Sequence, residues 1–540
     1  MNALYYGDNL MILRNEIQRE SVDLIYLDPP FNSQATYNVL FRSTAGEQSR
    51  AQIEAFEDTW HWGSEAELAF DEVMHSRSTD AAELLRALRA FLKENDMMAY
   101  LSMMAVRLLE LHRTLKPTGT LYLHCDPTAS HYLKLLLDAI FGVERFRNEL
   151  IWRRADPKGH AFRRYPSTHD VILSYGRTGE TVWNTQYRDY DESYLDSHYS
   201  QIEEGTGRAY TLSDCTNPNR NRPNLTYEWK GVTKVWRWTK ERMQRAHDEG
   251  RLVYTKSGAP RYKRYLDEMP GRVVTSVWDD IPFVNSQAQE RLGYPTQKPL
   301  ALLERIVRAS SNEGDIVLDP FCGCGTTIHA AQKLKREWIG IDITHLAISL
   351  IEKRLKDAFP GIQYEVHGTP KDLDGARALA ARDRYQFQWW AVSLVNAVPF
   401  AGKKKGADTG IDGLIYFKPD GKTTEKAIVS VKGGENVNVA MIRNLAHVVD
   451  REKARIGVFI TLSEPTGPMI TEAVKVGFYE TLYGKYPRIQ ILTIVELFAG
   501  KQPNIPLVDP SAFKRAAKES IGQQDKFLFR TYVEKTQTVR

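Results

Sequence analysis

The chain has 540 residues, the length of three or four domains at roughly 100–200 residues each, so a single compact core is not expected. Hydrophobic residues make up 42% and charged residues 26%, which excludes a mostly disordered chain. No apolar run approaches the ~20 residues that span a bilayer, and the first residues do not form a signal peptide, so we expect a cytoplasmic protein with no membrane partner. The net charge of +4 divides unevenly: residues 1–150 carry 14 basic and 22 acidic residues, residues 151–300 carry 24 and 19, and residues 301–540 carry 34 and 27.

Strands and amphipathic helices alternate along the first 150 residues. Residues 22–27 predict a buried strand that ends just before a pair of prolines. Apolar residues at helical spacing predict a helix over 97–115, a strand follows over 120–124, and a second helix extends to about residue 140. This alternation predicts an α/β domain with a largely parallel sheet.

Residues 153–290 interrupt this alternation of strands and helices, because they contain many glycines and few periodic apolar runs. We therefore predict an irregular module inserted into the α/β domain. The alternation of strands and helices resumes at residue 299. From there to residue 356 the sequence predicts a helix, a strand, a glycine-rich turn, a helix, a strand and a final helix. Residues 359–380 have the composition of a linker. A second α/β unit is predicted from residue 385, with strands near 411–417, 427–432, 456–461 and 489–494.

The segment Asp28-Pro29-Pro30-Phe31 follows the first buried strand. The exocyclic amine of a nucleobase is a poor nucleophile, because its lone pair is delocalised into the ring. The Asp28 carboxylate and the Pro29 carbonyl can each accept one N–H bond from such an amine, which localises the lone pair and aims it at an electrophile. The prolines keep the loop rigid, and Phe31 can stack on a base taken out of the duplex. The alternative explanation is an ordinary turn at the end of a strand.

A second informative segment begins at Asp319 and contains Phe321, Gly323 and Gly325 between a predicted strand and a predicted helix. The glycines allow close approach to the backbone, and the helix N-terminus favours an anionic group. Asp342 follows the next strand, where an acid can bind ribose hydroxyls. The pattern is not GxGxxG and no P-loop lysine follows it, which weakens dinucleotide and ATP binding as explanations.

Together these segments resemble a β-class DNA amino-methyltransferase, close to the modification subunits of type III restriction systems. In that class the catalytic motif precedes the cofactor motif and the target-recognition region lies between them, which is the order found here over residues 1–357. The resemblance implies a Rossmann-like domain, base flipping in double-stranded DNA, and S-adenosylmethionine as methyl donor. It also implies a prokaryotic or phage-encoded protein of a restriction-modification or phage-defence system, acting as a homodimer or with a restriction-subunit partner.

The resemblance also implies roles for individual residues. Catalysis is assigned to Asp28, Pro29, Pro30 and Phe31. Cofactor binding is assigned to Asp8, Asn9, Thr296, Lys298, Asp319, Phe321, Gly323, Gly325, Thr326 and Asp342. In this family an aspartate at the head of the catalytic motif goes mainly with adenine N6 and a serine with cytosine N4. We therefore expect methylation of adenine N6 and keep cytosine N4 as the alternative.

The inserted module is the candidate target-recognition region. Residues 151–300 hold six of the eleven tryptophans and twelve of the 26 tyrosines together with a basic excess, which suits contact with phosphates and reachable bases. The candidate DNA contacts lie in basic and aromatic clusters: Arg220, Arg222, Lys234, Arg237, Lys263 and Arg264. Trp236 and Trp238 alternate with these basic residues and are equally well explained as the local core of the module.

Residues 385–500 lie beyond what a methyltransferase requires. Asp412 begins one predicted strand and Lys432 ends the next, which suits a phosphodiesterase that holds Mg²⁺ with carboxylates and steadies charge with a lysine. This resembles the Mrr-like branch of PD-(D/E)xK endonucleases, in which Asp412 would bind the metal, Lys432 would be the catalytic lysine and Gln388 an auxiliary polar residue. That family places Glu or Gln two residues before the lysine, where this chain has Ser430. An active nuclease and a catalytically silent DNA-binding or docking module both stay open.

The predicted fold is α/β: a Rossmann-like methyltransferase domain with an inserted target-recognition region, and a C-terminal restriction-endonuclease-like domain. The expected boundaries are 1–152 for the catalytic half, 153–290 for the recognition region, 291–357 for the cofactor-binding half, 358–384 for a linker, 385–500 for the nuclease-like domain and 501–540 for a C-terminal extension. The expected function is site-specific adenine-N6 methylation of double-stranded DNA, with Mg²⁺ as a further cofactor if the C-terminal domain is a nuclease. The alternative is cytosine-N4 methylation with a silent C-terminal domain.

Overall fold

The computed structural model describes residues 2–30, 61–157, 165–285, 288, 290–291, 296–400, 410–420, 423–482 and 484–506, and the backbone of the paired strands Thr36–Arg42 and Gln48–Glu57. The described residues form two compact units. One consists of residues up to 184 together with those from 276 onward, and the other of residues 185–275. Within the described ranges, no helix is both long enough and apolar enough to cross a membrane.

A nine-stranded sheet forms the centre of the first unit. Its strands are β1 (Ala3–Tyr6), β2 (Val22–Leu27), β3 (Leu115–Cys125), β4 (Phe146–Arg153), β5 (His169–Gly176), β6 (Val277–Trp278), β7 (Ile316–Asp319), β8 (Glu337–Asp342) and β9 (Glu365–His367). Their spatial order is β6-β4-β5-β3-β2-β7-β8-β1-β9. β5 runs antiparallel to both of its neighbours, and the other neighbouring pairs are parallel. The predicted α/β fold with a largely parallel sheet is confirmed.

The helices that accompany this sheet are α1 (Asn9–Asn15), α2 (Ser64–Met74), α3 (Thr79–Leu92), α4 (Asp96–Thr114), α5 (Pro127–Phe141), α6 (Leu300–Ser310), α7 (Thr326–Lys333) and α8 (His345–Ala358). The apolar stripe predicted on α4 is fully buried at Leu101, Met104 and Leu108, in one core with side chains of β2, β3 and α5. Each such side chain contributes about 1.5–3 kcal/mol by leaving water. This core holds the strands rigidly, and with them the loops at their ends.

The second compact unit is shorter than the predicted recognition region, 153–290. β5 belongs to the main sheet, because its apolar and buried stretch pairs with β3 on one side and β4 on the other. The unit contains the helices Glu192–His198 and Lys240–Asp248 and the strands Tyr187–Arg188, Gln201–Ile202, Ala209–Asp214, Thr226–Trp229, Val232–Val235, Leu252–Tyr254, Pro260–Tyr265 and Arg272–Val273. Trp229 and Trp236 form its core with Cys215, while Trp238 is partly buried against it.

The C-terminal part of the first unit carries its own five-stranded sheet. The strands, in spatial and chain order, are β10 (Val398–Pro399), β11 (Gly413–Phe417), β12 (Glu425–Lys432), β13 (Ile456–Thr461) and β14 (Ile489–Thr493). The accompanying elements are α9 (Leu373–Arg382), α10 (Arg384–Leu394), α11 (Val439–Arg451), α12 (Gly467–Lys475), α13 (Ile494–Phe498) and the paired strands Phe478–Thr481 and Gly484–Pro487. The second α/β unit is thus observed. The segment expected as a linker, 358–384, contains β9, which pairs with β1 of the main sheet, and helix α9.

Candidate active site

Two loops that are far apart in the sequence meet at one edge of the main sheet. β2 and β7 are hydrogen-bonded parallel neighbours, so the loops that follow them leave the sheet at the same edge. The first loop starts at Asp28, and the second is the glycine turn that follows Asp319. Both line a cavity of about 480 Å³. The residues of its lining that the sequence predicted are Asp8, Asn9, Asp28, Pro29, Pro30, Thr296, Lys298, Asp319, Phe321, Gly323, Thr326 and Asp342.

Asp28 and Lys298 form an ion pair in this cavity. The Nζ atom of Lys298 lies 2.5 Å from Oδ2 of Asp28, and the two side chains are 12% and 16% exposed. The pair fixes the orientation of the carboxylate and leaves its Oδ1 atom for another donor. Lys298, which the resemblance assigned to cofactor binding, therefore contacts the head of the predicted catalytic motif. Phe31, the last residue of that motif, lies outside the described residues.

The glycine turn has a backbone shape that residues other than glycine adopt at a cost. Gly323 and Gly325 have φ angles of 50° and 75°, in the left-handed region. A Cβ atom on Gly325 would lie 2.7 Å from the side chain of Ile351, so a larger residue would force the turn and α8 apart. The buried guanidinium of Arg354 donates a hydrogen bond to the carbonyl oxygen of Cys324 at 3.1 Å, which supports the turn. The turn thus brings the backbone of Gly323, which has no side chain, to the cavity just before α7.

Two carboxyl groups flank this turn, the buried Asp319 and the partly buried Asp342. Burial raises the pKa of Asp319 to about 7 and the pKa of Asp342 to about 6. Oδ2 of Asp342 accepts a hydrogen bond from the N–H of Gly323, and its Oδ1 accepts from the N–H and the hydroxyl of Thr344, all at 2.9 Å. Oδ1 of Asp319 accepts from the N–H of Phe321 at 3.0 Å. These bonds favour the charged forms, and they leave Asp342 mostly ionised at neutral pH.

The segment before α1 is tied to the glycine turn by side-chain hydrogen bonds. Asp8 caps α1, and its Oδ2 atom lies 3.2 Å from the guanidinium of the buried Arg107. The Nε atom of Arg107 donates to Oδ1 of Asn9 at 2.7 Å. The amide of Asn9 in turn donates to the carbonyl oxygen of Pro320 at 2.9 Å. The two predicted cofactor segments are therefore parts of one hydrogen-bonded structure.

A buried polar chain beside the catalytic loop was missed by the sequence analysis. The hydroxyl of Tyr26 lies 2.8 Å from Nδ1 of His124, whose Nε2 lies 3.1 Å from Oδ2 of Asp170. Asp170 also pairs with Arg154, with 2.8 Å between Oδ1 and Nε. Tyr26, Asp170 and Arg154 line the cavity. The sequence contains little indication of this chain, because its members are single polar residues in or next to apolar strands. Which of these strands are neighbours is decided only by the tertiary fold.

Two known protein families match this chain, in separate ranges. Residues 22–353, more than half of the chain, match a family described as DNA methylase. The chain belongs to the DNA methylase family. Residues 380–481 of this methylase match a second family, described as restriction endonuclease, and this part of the chain is restriction-endonuclease-like. Both parts of the predicted family resemblance are confirmed.

Three curated relatives illustrate the similarity. Type II methyltransferase M.EcaI from Enterobacter cloacae is 30% identical to the methylase over 65% of this chain and 69% of its own length. The Mod subunit of the type III restriction-modification enzyme StyLTI from Salmonella typhimurium is 25% identical over 62% of this chain and 50% of its own length. DNA adenine methyltransferase YhdJ from Escherichia coli is 25% identical over 65% of this chain and 82% of its own length.

The candidate DNA contacts of the methylase all lie in the unit of residues 185–275. Five of them are exposed: Arg220, Arg222, Lys234, Arg237 and Arg264. Lys263 differs, because its Nζ atom lies 2.7 Å from Oε1 of Glu203 and its side chain is 15% exposed. This ion pair joins two parts of the unit, so Lys263 is engaged in its own structure. The five exposed residues stay predicted DNA contacts.

Three of the four nuclease candidates of the methylase lie on or beside two neighbouring strands. Asp412 directly precedes β11, and Ser430 and Lys432 lie on β12, which pairs with β11. Oδ2 of Asp412 accepts a hydrogen bond from the N–H of Val431 at 2.7 Å, and Ser430 is buried. Gln388 is partly buried on α10. Among the described residues no group of three or more His, Cys, Asp or Glu side chains could hold a metal ion, which leaves Asp412 as the one predicted carboxylate of the site that the structure describes.

Proposed function

We propose that this DNA methylase transfers a methyl group from S-adenosylmethionine to the N6 amine of adenine at a specific sequence in double-stranded DNA. The observation that carries the proposal is the shared sheet edge. The Asp28 loop and the glycine turn follow neighbouring parallel strands and line one cavity. A transfer between a bound cofactor and a base amine requires that the two ligands meet in a fixed orientation, and this edge offers such a place.

The cavity fits a nucleoside that carries an amino-acid tail. Asp342 would accept hydrogen bonds from the ribose hydroxyls, because its pKa of about 6 keeps it ionised at neutral pH. The turn from Phe321 to Gly325 would place open backbone at the N-terminus of α7 near the carboxylate of the tail. Asn9 and Thr296 would complete the lining on either side. S-Adenosylmethionine supplies a sulfonium methyl group that is open to nucleophilic attack.

Asp28 would prepare the target amine for attack. Because Lys298 holds Oδ2, the Oδ1 atom is oriented to accept one N–H bond of the amine, and the carbonyl oxygen of Pro29 would accept the other. The proline pair keeps these two acceptors at a fixed separation. With both N–H bonds engaged, the nitrogen lone pair is directed out of the ring system. No strong base is needed before attack, since the proton leaves only after the nitrogen has become cationic.

Two observations support adenine as the target base. An aspartate heads the catalytic motif, as it mainly does in adenine-N6 members of the family the chain resembles. The Escherichia coli relative, similar over 82% of its own length, is named as a DNA adenine methyltransferase. Cytosine N4 presents the same two N–H donors to Asp28 and Pro29. The experiment must therefore identify the modified base directly.

The test is mass analysis of nucleosides from duplex DNA incubated with the full chain and S-adenosylmethionine. We expect N6-methyladenine with the wild type and none with Asp28→Ala, while the dissociation constant of the cofactor stays within about twofold. The matched control is Asp374→Ala, which changes an acid whose side chain is 93% exposed and should keep full activity. N4-methylcytosine as the product would refute the base assignment. Loss of both folding and cofactor binding in Asp28→Ala would refute the assigned role of Asp28.

We further propose that the methylase serves a restriction-modification system. One relative is the Mod subunit of a type III restriction-modification enzyme, and the C-terminal domain matches a restriction endonuclease family. A separate restriction subunit and a second copy of this chain are the candidate partners. Light scattering of the purified chain with and without target duplex measures the copy number. A monomer in both states would refute the proposed homodimer. Failure to bind a co-expressed restriction subunit would refute the proposed partnership with that subunit.

A further inference from the structure

One helix of the C-terminal domain caps a helix of the methyltransferase domain. α10 lies within the segment that matches the restriction endonuclease family. Its Gln386 side chain accepts, through Oε1, a hydrogen bond from the backbone N–H of His345 at 3.2 Å. His345 is the first residue of α8, and N–H groups in the first turn of a helix have no acceptor within the helix. Gln386 therefore supplies from another domain an acceptor that α8 lacks.

The capped turn is the one that shapes the candidate cofactor site. Thr344 directly precedes α8, and its N–H and hydroxyl donate to Oδ1 of Asp342. The same hydroxyl oxygen accepts from the N–H of Ala347 at 3.2 Å, which fixes Thr344 to the helix. Oδ2 of Asp342 accepts from the N–H of Gly323 in the glycine turn. A continuous chain of contacts thus runs from Gln386 through the start of α8 to Asp342 and Gly323.

A second contact reaches the same turn from the end of β1. The ring of the buried His345 stacks on the ring of Tyr6, with 3.6 Å between their centroids. Burial raises the pKa of the Tyr6 hydroxyl, and the charge of Arg382, the last residue of α9, opposes this rise. The residue after Tyr6 is Gly7, whose N–H donates to the carbonyl oxygen of Asp342 at 3.0 Å. The Asp342 turn is therefore held by α10 through Gln386 and by the end of β1 through Tyr6 and Gly7.

We propose that Gln386 is a positioning residue for methyl transfer, which holds the Asp342 turn in the shape that binds the cofactor. The C-terminal domain then sets the cofactor affinity of the methyltransferase domain. This inference rests on the proposed function, because it takes S-adenosylmethionine as the ligand of Asp342. The brace acts on the ribose side of the cavity and not on Asp28, so its loss changes cofactor binding more than the rate of the saturated enzyme. By linkage, a bound cofactor stabilises the contact with α10.

The test compares variants of the full chain by calorimetric titration with S-adenosylmethionine. Gln386→Leu removes the acceptor at similar size, Gln386→Glu keeps an acceptor with a charge that suits a helix N-terminus, and Arg384→Ala alters an exposed neighbour on α10. We expect Gln386→Leu to raise the dissociation constant about threefold to tenfold, the effect of one net hydrogen bond, with kcat at saturating cofactor within about twofold. Gln386→Glu and Arg384→Ala should keep the wild-type constant.

Hydrogen–deuterium exchange separates this coupling from general damage. In the wild type, S-adenosylmethionine should slow exchange in residues 373–394, and this protection should disappear in Gln386→Leu. A wild-type dissociation constant in Gln386→Leu overturns the inference, and so does cofactor binding that leaves these helices unprotected. An equal loss of affinity in Arg384→Ala overturns it as well, because the effect would not depend on the capping bond. A wild-type chain that does not bind S-adenosylmethionine at all refutes the proposed function, and this inference with it.

Discussion

Replacing Lys298 by methionine tests how the catalytic carboxylate is held. The Nζ atom of Lys298 lies 2.5 Å from Oδ2 of Asp28, and with side chains 12% and 16% exposed the pair is only weakly screened by solvent. A hydrogen bond between charged groups contributes about 1.5–3 kcal/mol. About 1.36 kcal/mol of transition-state stabilisation corresponds to a factor of ten in rate. Loss of this contact from the transition state should therefore lower kcat about 10- to 150-fold. Lys298→Met keeps the length and the apolar character of the stem while removing the donor.

The assay is transfer of labelled methyl groups to target duplex at varied cofactor and DNA concentrations. We expect Lys298→Met to lower kcat by that factor while the cofactor dissociation constant stays within about threefold. Combined with Asp28→Asn, the substitution should cause little further loss, because the two residues act as one unit. The family resemblance assigns Lys298 to the cofactor instead. A tenfold weaker cofactor affinity with unchanged kcat at saturation would support that assignment and refute our account of Asp28.

Other predictions concern the buried acids and the flanking domains. Cofactor affinity should fall as the pH drops from 8 to 5.5, because protonation of Asp342, with a pKa of about 6, removes its negative charge and weakens it as a hydrogen-bond acceptor; equal calorimetric affinities across this range would contradict this. Burial raises the pKa of Asp319 from 3.8 to about 7, so its stabilising contribution is complete below about pH 4 and lost above about pH 7. Asp319→Asn should accordingly reduce the fall in Tm between pH 5 and 8, and parallel Tm profiles for the two proteins would refute this. Trp236→Ala should cost about 3–5 kcal/mol of unfolding free energy in the unit of residues 185–275. We expect this variant to be cleaved faster by protease within that unit and to bind DNA more weakly, with unchanged cofactor affinity. A proteolysis rate equal to that of the wild type would argue against a core role for Trp236. Unmethylated duplex with Mg²⁺ should stay uncut by both the wild type and Lys432→Ala, because Ser430 stands where the resembled nuclease family has Glu or Gln, and cleavage by the wild type alone would refute this.

The sequence was sufficient for the order and type of the main elements. The predicted helix over 97–115 is Asp96–Thr114, and the predicted strand over 456–461 is Ile456–Thr461. Both are encoded locally, since a few turns of apolar periodicity and the flanking turn residues decide them. The Asp28 motif and the glycine turn are equally local, because each performs its proposed chemistry with four or five adjacent residues. Their order along the chain was enough to indicate the family.

Only the tertiary structure decided which distant residues meet. Lys298 contacts Asp28 across 270 positions of the chain, and Gln386 caps His345 from another domain. β5 joins the main sheet although the sequence around it resembles an irregular insertion. Strand pairing and domain docking depend on burial between segments that lie far apart, and a one-dimensional pattern does not record which segments these are. The sequence by itself therefore determined the parts of the site, while the tertiary structure decided how they are braced and paired.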